Sequence, residues 1–313
     1  MALKRKGILL LLAVILTLSL VIVGCAEQKE KHVIFTSGAW SGDWLTIYVP
    51  KILFEEELGY TTEIADLSTS AAWTAVGIGE ADLWTNAWLP NQQRLWDKYD
   101  ATVESLGLIY GGPDDPCLQF WAIPKYVSEE YGITSVTDLD DPEFVKLFDT
   151  DSDGIGDLLG CDPAWGCAKI NDEMIAGYEL GDLYEQKYGA EIMMTAAIEG
   201  HLKKNEPVLF YMYTPHPFFV RYPIGESVIV LEDPLGFWGF SADIHKICNR
   251  AWVEANPEAA ELLRQVEMTQ DDIAWMMAEI EEKGDDAATL EALAREWMAE
   301  HQAEVDSWLE VIK

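Results

Sequence analysis

Apolar residues recur along this chain with two alternating periods. Val33–Thr36 is a short β-type run, followed by the Gly-rich segment Ser37–Gly42. Trp44 to Leu58 has helical spacing and stops at Gly59, and Thr61–Ala65 reads as a second strand. Trp73–Ile78 is helical up to Gly79, and the apolar run Ala81–Trp88 follows. This β-loop-α-β order begins an α/β sheet. Leu118–Ile123 reads as a strand, Lys125–Tyr131 as a helix, and 144–166 as an irregular Asp- and Gly-rich stretch. Apolar positions 170, 174, 175 and 178 predict a helix over Ile170–Leu180. Val208–Tyr213, Val228–Leu231 and Phe240–Ile247 are further strand candidates. From Trp252 the pattern is helical. Pro257 opens one helix, and Leu290, Leu293, Trp297, His301, Val305 and Leu309 predict a single amphipathic helix over 288–311.

The first residues follow neither period. Lys4, Arg5 and Lys6 precede an apolar run, Ile8–Val23, that suits a signal-peptide core better than a spanning helix. The run exits through Ile22-Val23-Gly24-Cys25, which looks like a lipobox. Residues 1–24 are then a lipoprotein signal peptide, Cys25 the lipidated residue, and 25–31 a polar tether to the outer face of the cytoplasmic membrane. No later run of about 18 apolar residues occurs, which argues against a permease.

Composition narrows the functional classes. Among 313 residues, 55 are Asp or Glu and 21 Lys or Arg, for a formal net charge of −34. Nucleic-acid binding is excluded, because it needs a basic face. A hydrophobic content of 49% with 13 Trp, 12 Tyr and 10 Phe supplies a core. So acidic a surface facing the outside medium hints at a saline setting, where hydrated carboxylates keep proteins soluble. No Walker, GxGxxG, GxSxG or HExxH pattern occurs, and five scattered His form no ligand cluster. An extracellular hydrolase therefore has no nucleophile-base pair to rest on.

Four cysteines remain beyond Cys25. Cys161 and Cys167 flank Asp-Pro-Ala-Trp-Gly, a turn-rich segment that can bring them together. A disulfide there would contribute roughly 2 kcal/mol by closing a small loop. Cys117 and Cys248 sit at the start and end of the strands Leu118–Ile123 and Phe240–Ile247. If these strands cross between lobes as an antiparallel pair, a Cys117–Cys248 disulfide is expected.

Four segments carry the specific signal: Asn86–Pro90 (Asn-Ala-Trp-Leu-Pro), Lys146–Gly160, Cys161–Cys167 and Glu206–Pro215. In this order they resemble the glycine betaine substrate-binding proteins of ABC importers, over about residues 32–311. The resemblance implies an α/β, two-lobe periplasmic-binding-protein-like fold of type II. Its lobes would be 32–117 plus 248–313, and 118–247, with the ligand cleft between them. It implies a monomer that delivers its ligand to an ABC permease with its ATPase, needs no cofactor and catalyses nothing.

The chemistry is consistent with that resemblance. A quaternary ammonium has no N–H to donate, so aromatic faces recognise it, at roughly 0.5–2 kcal/mol per desolvated contact. The positions matching the family's Trp cage are Trp88, Trp165 and Tyr213, where the family often has a third Trp. The competing reading of each is core packing. Trp165, inside a tight loop between Pro163 and Gly166, cannot easily reach a core. Trp88 lies at a strand end, where α/β sheets place ligand contacts. The Tyr213 hydroxyl could discriminate among head groups. For a ligand carboxylate, the Gly166 and Cys167 N–H groups ahead of the 170–180 helix are natural donors. The family His after the first cage Trp matches Gln92. The ligand is then glycine betaine, or choline, carnitine, proline betaine or dimethylsulfoniopropionate.

Asp149, Asp151, Asp153, Gly154 and Asp157 resemble the start of an EF-hand loop, but Gly160 stands where its bidentate Glu belongs. A structural Ca2+ and a solvated Asp-Gly turn are both open readings. A calcium-dependent surface interaction lipoprotein is the rival of a different class.

Overall fold

The computed structural model describes residues 31–313. The expectations on residues 1–24, Cys25 and most of the tether lie outside the described residues. Twenty-three helices and strands follow in the order β1 His32–Thr36, α1 Asp43–Glu56, β2 Thr61–Ala65, α2 Thr69–Ile78, β3 Leu83–Leu89, α3 Gln93–Tyr99 and β4 Val103–Gly111. Next come β5 Gln119–Pro124, α4 Lys125–Tyr131, α5 Pro142–Phe148, β6 Gly156–Leu159, α6 Gly166–Gly177, β7 Tyr184–Lys187, α7 Glu191–Lys204, β8 Leu209–Tyr213, α8 Phe218–Arg221 and β9 Val228–Val230. The chain ends with β10 Asp243–Asn249, α9 Arg250–Ala255, α10 Pro257–Gln265, α11 Gln270–Lys283, α12 Ala287–Glu300 and α13 Gln302–Trp308.

The strands form two mixed sheets of five, ordered β2-β1-β3-β10-β4 and β7-β6-β8-β5-β9. β1 runs parallel to β3, with Phe35 opposite Leu83. β10 lies antiparallel between β3 and β4. In the second sheet β6 is parallel to β7 and β8, and β5 is antiparallel to β8 and β9. Helices α11 and α12 pack on α1 in the first half. There Leu45, Ile47, Val49 and Ile52 of α1 and Leu290 and Leu293 of α12 are buried in one cluster. α1 is buried on nearly every face, which is why its sequence is apolar almost all round. The expected 288–311 helix breaks at His301, which separates α12 from α13.

The chain passes from the first sheet to the second between β4 and β5, and returns between β9 and β10. The two crossing segments meet at an antiparallel bridge between Cys117 and Ala242, where Ala242 N donates to Cys117 O at 2.8 Å. This corrects two expectations. β10 belongs wholly to the first sheet, so the return crossing ends at Ala242 rather than at Cys248. The strands flanked by Cys117 and Cys248 do not pair with each other, because β5 and β10 lie in different sheets. Cys248 sits six positions beyond Ala242, roughly 20 Å along an extended strand, opposite Leu83 and Glu104. Both thiols are free and buried, and the Cys117–Cys248 disulfide is absent. The Cys161–Cys167 disulfide is present.

Candidate functional site

The turn between β1 and α1, the C-terminal ends of β3 and β8, and the N-terminus of α6 converge on one partly open cavity of about 410 Å³. Trp88 is the penultimate residue of β3 and Tyr213 the last of β8, and each is followed by a cis proline bond, Leu89-Pro90 and Thr214-Pro215. Trp165 is the N-cap of α6, held by the disulfide loop. All three expected cage residues line the cavity. Ring centroids lie 5.8 Å apart for Trp88 and Tyr213, and 6.1 Å for Trp165 and Tyr213, with the planes near perpendicular. Perpendicular walls present faces to a common interior, the arrangement a cation needs.

A fourth ring escaped the sequence reading. The Trp40 ring lies near-perpendicular to those of Trp88, Trp165 and Tyr213, with centroids 5.4, 6.4 and 5.6 Å away. Its signal was present, since it lies just beyond the first strand, between Gly38 and Gly42, as Trp88 lies near the end of the third. A Cβ at Gly42 would lie 2.4 Å from the Trp40 ring, and one at Gly38 would lie 2.5 Å from Trp84. Both glycines are thus required by the rings they seat. Asp43, fully buried at the start of α1, holds both indoles: Trp40 Nε1 donates to it at 2.9 Å and Trp84 Nε1 at 3.2 Å. Gly38 N donates to it as well. Burial outweighs these three donors and pushes the Asp43 carboxyl up to about 8.

Polar groups occupy the remaining wall. Trp88 is oriented by its indole N–H, which donates to Asn86 Oδ1 at 2.8 Å. Gln92 accepts at Oε1 from Trp73 Nε1 at 2.6 Å and from the Trp88 amide at 3.2 Å. Its NH2 group has no partner among the described residues, which leaves it as a donor. Gly166 and Cys167 open α6, so their N–H groups have no intrahelical acceptor, and both residues line the cavity. A Cβ on Gly166 would lie 2.9 Å from the Asn91 carbonyl, so only glycine lets this loop come so close. A second missed residue is Gln119, at the start of β5. Its Oε1 accepts from Asn91 Nδ2 at 2.7 Å and Tyr211 OH at 2.6 Å, while its buried Nε2 has no partner. Nothing in the sequence marks Gln119, because its role depends on a crossing strand meeting the β3–α3 turn. The site thus offers four rings and several uncharged N–H donors. Among the described residues, no Lys, Arg or His lines it.

The Tyr213 hydroxyl, expected to discriminate among head groups, has a partner within the protein. It donates to Glu191, the first residue of α7.

The Asp-rich loop is separate from this cavity. Asp149, Asp151 and Asp153 bring carboxylate oxygens within 4.8 Å of one another. Asp157 does not join them: it is fully buried in β6, accepts from Thr150 N at 2.8 Å, and pairs with Lys187 at 3.1 Å. Lys187 also bonds Asp151 at 2.8 Å, so a lysine supplies counter-charge to this loop.

Comparison with known proteins agrees with this geometry. Residues 31–300 match the family model for the substrate-binding domain of the ABC-type glycine betaine transport system. The chain is 27% identical over 284 residues to a glycine betaine/proline betaine-binding periplasmic protein of Escherichia coli, covering 84% of each. The lactococcal OpuAC structure, closed and complexed with glycine betaine, superposes with a TM-score of 0.74 at 25% identity, over 89% of this chain and 99% of that one. A glycine betaine/L-proline-binding protein from Borrelia burgdorferi shares the fold, with a TM-score of 0.77 at 22% identity over 89% and 96% of the two chains. The calcium-dependent interaction protein finds no support among these relatives. The chain belongs to the substrate-binding domain family of ABC-type glycine betaine transport systems and is the substrate-binding component of such an importer.

Proposed function

We propose that the cavity binds glycine betaine itself, with the trimethylammonium head among Trp40, Trp88, Trp165 and Tyr213. The observation that carries this reading is the convergence of four aromatic rings, with no Lys or Arg among the described residues that line the cavity. The ligand carboxylate is received by the N–H groups of Gly166 and Cys167 and by the amides of Gln92 and Gln119. Helix α6 points its N-terminus at that position, which favours an anion. A zwitterion suits a site whose one end is aromatic and whose other end is all donors.

In this reading the two sheet halves are lobes that close on the ligand, and the closed form is presented to the permease and its ATPase. Residues 1–24 are removed, Cys25 is lipidated, and the protein works as a monomer outside the membrane. No described helix is long and apolar enough to cross a membrane. A hydroxylated ligand, choline or carnitine, is favoured by one observation: Asn91 Oδ1, on the cavity wall, is buried without a donor.

Tryptophan fluorescence titration with glycine betaine, choline, carnitine, proline betaine and dimethylsulfoniopropionate tests the proposal. Glycine betaine should perturb the emission at the lowest concentration, and Trp165→Ala should abolish the response. A protein that responds to none of these compounds would overturn it.

A further inference from the structure

Glu191 is largely buried, with 14% of its side chain exposed, and is contacted from both halves of the molecule. From the second half the Tyr213 hydroxyl donates to Oε1, and His216 Nε2 lies 3.4 Å from the same oxygen. From the first half Ser41 donates twice to Oε2, through its amide at 3.1 Å and its hydroxyl at 3.0 Å. Ser41 adjoins Trp40, so one carboxylate ties together the loops that carry two cage rings. Burial disfavours the charged form, but His216, Tyr213 and Ser41 outweigh it and hold the carboxyl below its ordinary range. Burial and the neighbouring Glu191 charge push the Tyr213 phenol well up. The proton therefore stays on the phenol, and the bond is a neutral donor to an anion, the strong kind.

We propose that Glu191 is a specificity-determining residue of the cage, which strengthens the attraction of the Tyr213 face for a quaternary ammonium by accepting its hydroxyl proton in a charge-assisted hydrogen bond. The inference rests on the reading of the cavity as a cage for a methylated cation. A phenol face is a weaker electrostatic partner for a cation than an indole face. Donating to a carboxylate shifts electron density from the O–H bond into the ring. The carboxylate's own charge, at the far end of the same ring, adds to the attraction without touching the ligand. The Tyr at position 213, on a strand, is thereby matched to a residue on a helix 22 positions away.

Calorimetry with glycine betaine on the full protein and three variants provides the test. E191Q should weaken binding by about 2- to 30-fold, the span of one cation–π contact. E191Q/Y213W should recover most of that loss, because an indole needs no carboxylate to be a strong face. A role confined to holding Ser41 would leave the double variant as weak as E191Q. Y213F, which keeps the ring and the Ser41 contacts, should lose a comparable factor and gives a reading independent of how well E191Q folds. Unchanged affinity in E191Q or Y213F, or no recovery in E191Q/Y213W, would overturn the inference. A wild-type protein that binds no methylated ammonium compound would instead overturn the cage itself.

Discussion

Single side chains in this site are legible by asking which polar atoms are left over. Gln119 has satisfied its oxygen twice and its nitrogen not at all, at a buried position on the cavity wall. An unpaired buried donor costs about 1–3 kcal/mol, which a ligand acceptor can recover. Gln119→Leu should therefore weaken glycine betaine about tenfold, and choline, which has no carboxylate, much less. Equal losses for the two ligands, measured by calorimetry, would remove Gln119 from the carboxylate site.

Asp43 behaves differently. Its carboxyl is raised from 3.8 to about 8, mainly by burial. The folded chain therefore holds this proton more tightly than the unfolded chain does. The associated stability is complete below about pH 4 and is lost as pH rises through about 8. The melting temperature of ligand-free protein should fall between pH 5 and 8, and Asp43→Asn should flatten that slope. A variant with the wild-type slope would show that the Asp43 charge is compensated. The sequence shows Asp43 only as an acidic residue near a strand end. Its two indole donors come from positions 40 and 84 and meet only in the fold.

At the scale of elements, the reading succeeded where period and termination signals agreed. β1, β2, β3, β5 and β8 lie close to where apolar runs predict them, as does the start of the helical C-terminal region. β4, β6, β7 and α7 were missed for physical reasons. β6 and β7 are four residues each, and β6 carries the buried Asp157, whose partner Lys187 lies on β7. Helix α7 buries only Ile198 and Leu202, so its sequence has little apolar periodicity. The pairing of Cys117 with Cys248 failed because two apolar strands do not reveal which sheet each will join. The six-residue disulfide loop succeeded because its closure is local.

That loop presents Trp165 and the first N–H groups of α6 together. Replacing both Cys161 and Cys167 by Ser should cost about 2 kcal/mol of stability. It should also weaken glycine betaine binding, because the loop must then be ordered at the moment of binding. Lost stability with full affinity would confine the disulfide to a structural role. Alkylation of the unfolded, unreduced chain should label Cys117 and Cys248 alone among these four cysteines.

For the molecule as a whole, the net charge of −34 and the cage act over different distances. Salt screens the general field within about 10 Å, so it cannot select a ligand. On the proposed reading, selection falls to contacts at van der Waals range, drawn from both halves: Trp40 and Trp88 from one, Trp165 and Tyr213 from the other. Two contacts join the halves, Ser41 with Glu191 at 3.0 Å and the exposed pair Arg94 with Glu173 at 3.1 Å, the second worth little on its own. The family was legible in the sequence through the Cys-Asp-Pro-Ala-Trp-Gly-Cys segment and its Asp-rich approach. The fourth ring, the Gln119 donor and the Glu191 partner of Tyr213 were not, since each needs two distant segments brought together.

On the proposed reading, the four rings bind the positive charge of the head group and not its bulk alone. Calorimetric titration of wild-type protein with glycine betaine and with 3,3-dimethylbutanoate, its isostere carrying carbon in place of the quaternary nitrogen, tests this directly. Glycine betaine should bind at least about tenfold more tightly, the worth of one to two desolvated cation–π contacts. Equal affinity for the two compounds, or tighter binding of the uncharged-head isostere, would contradict it.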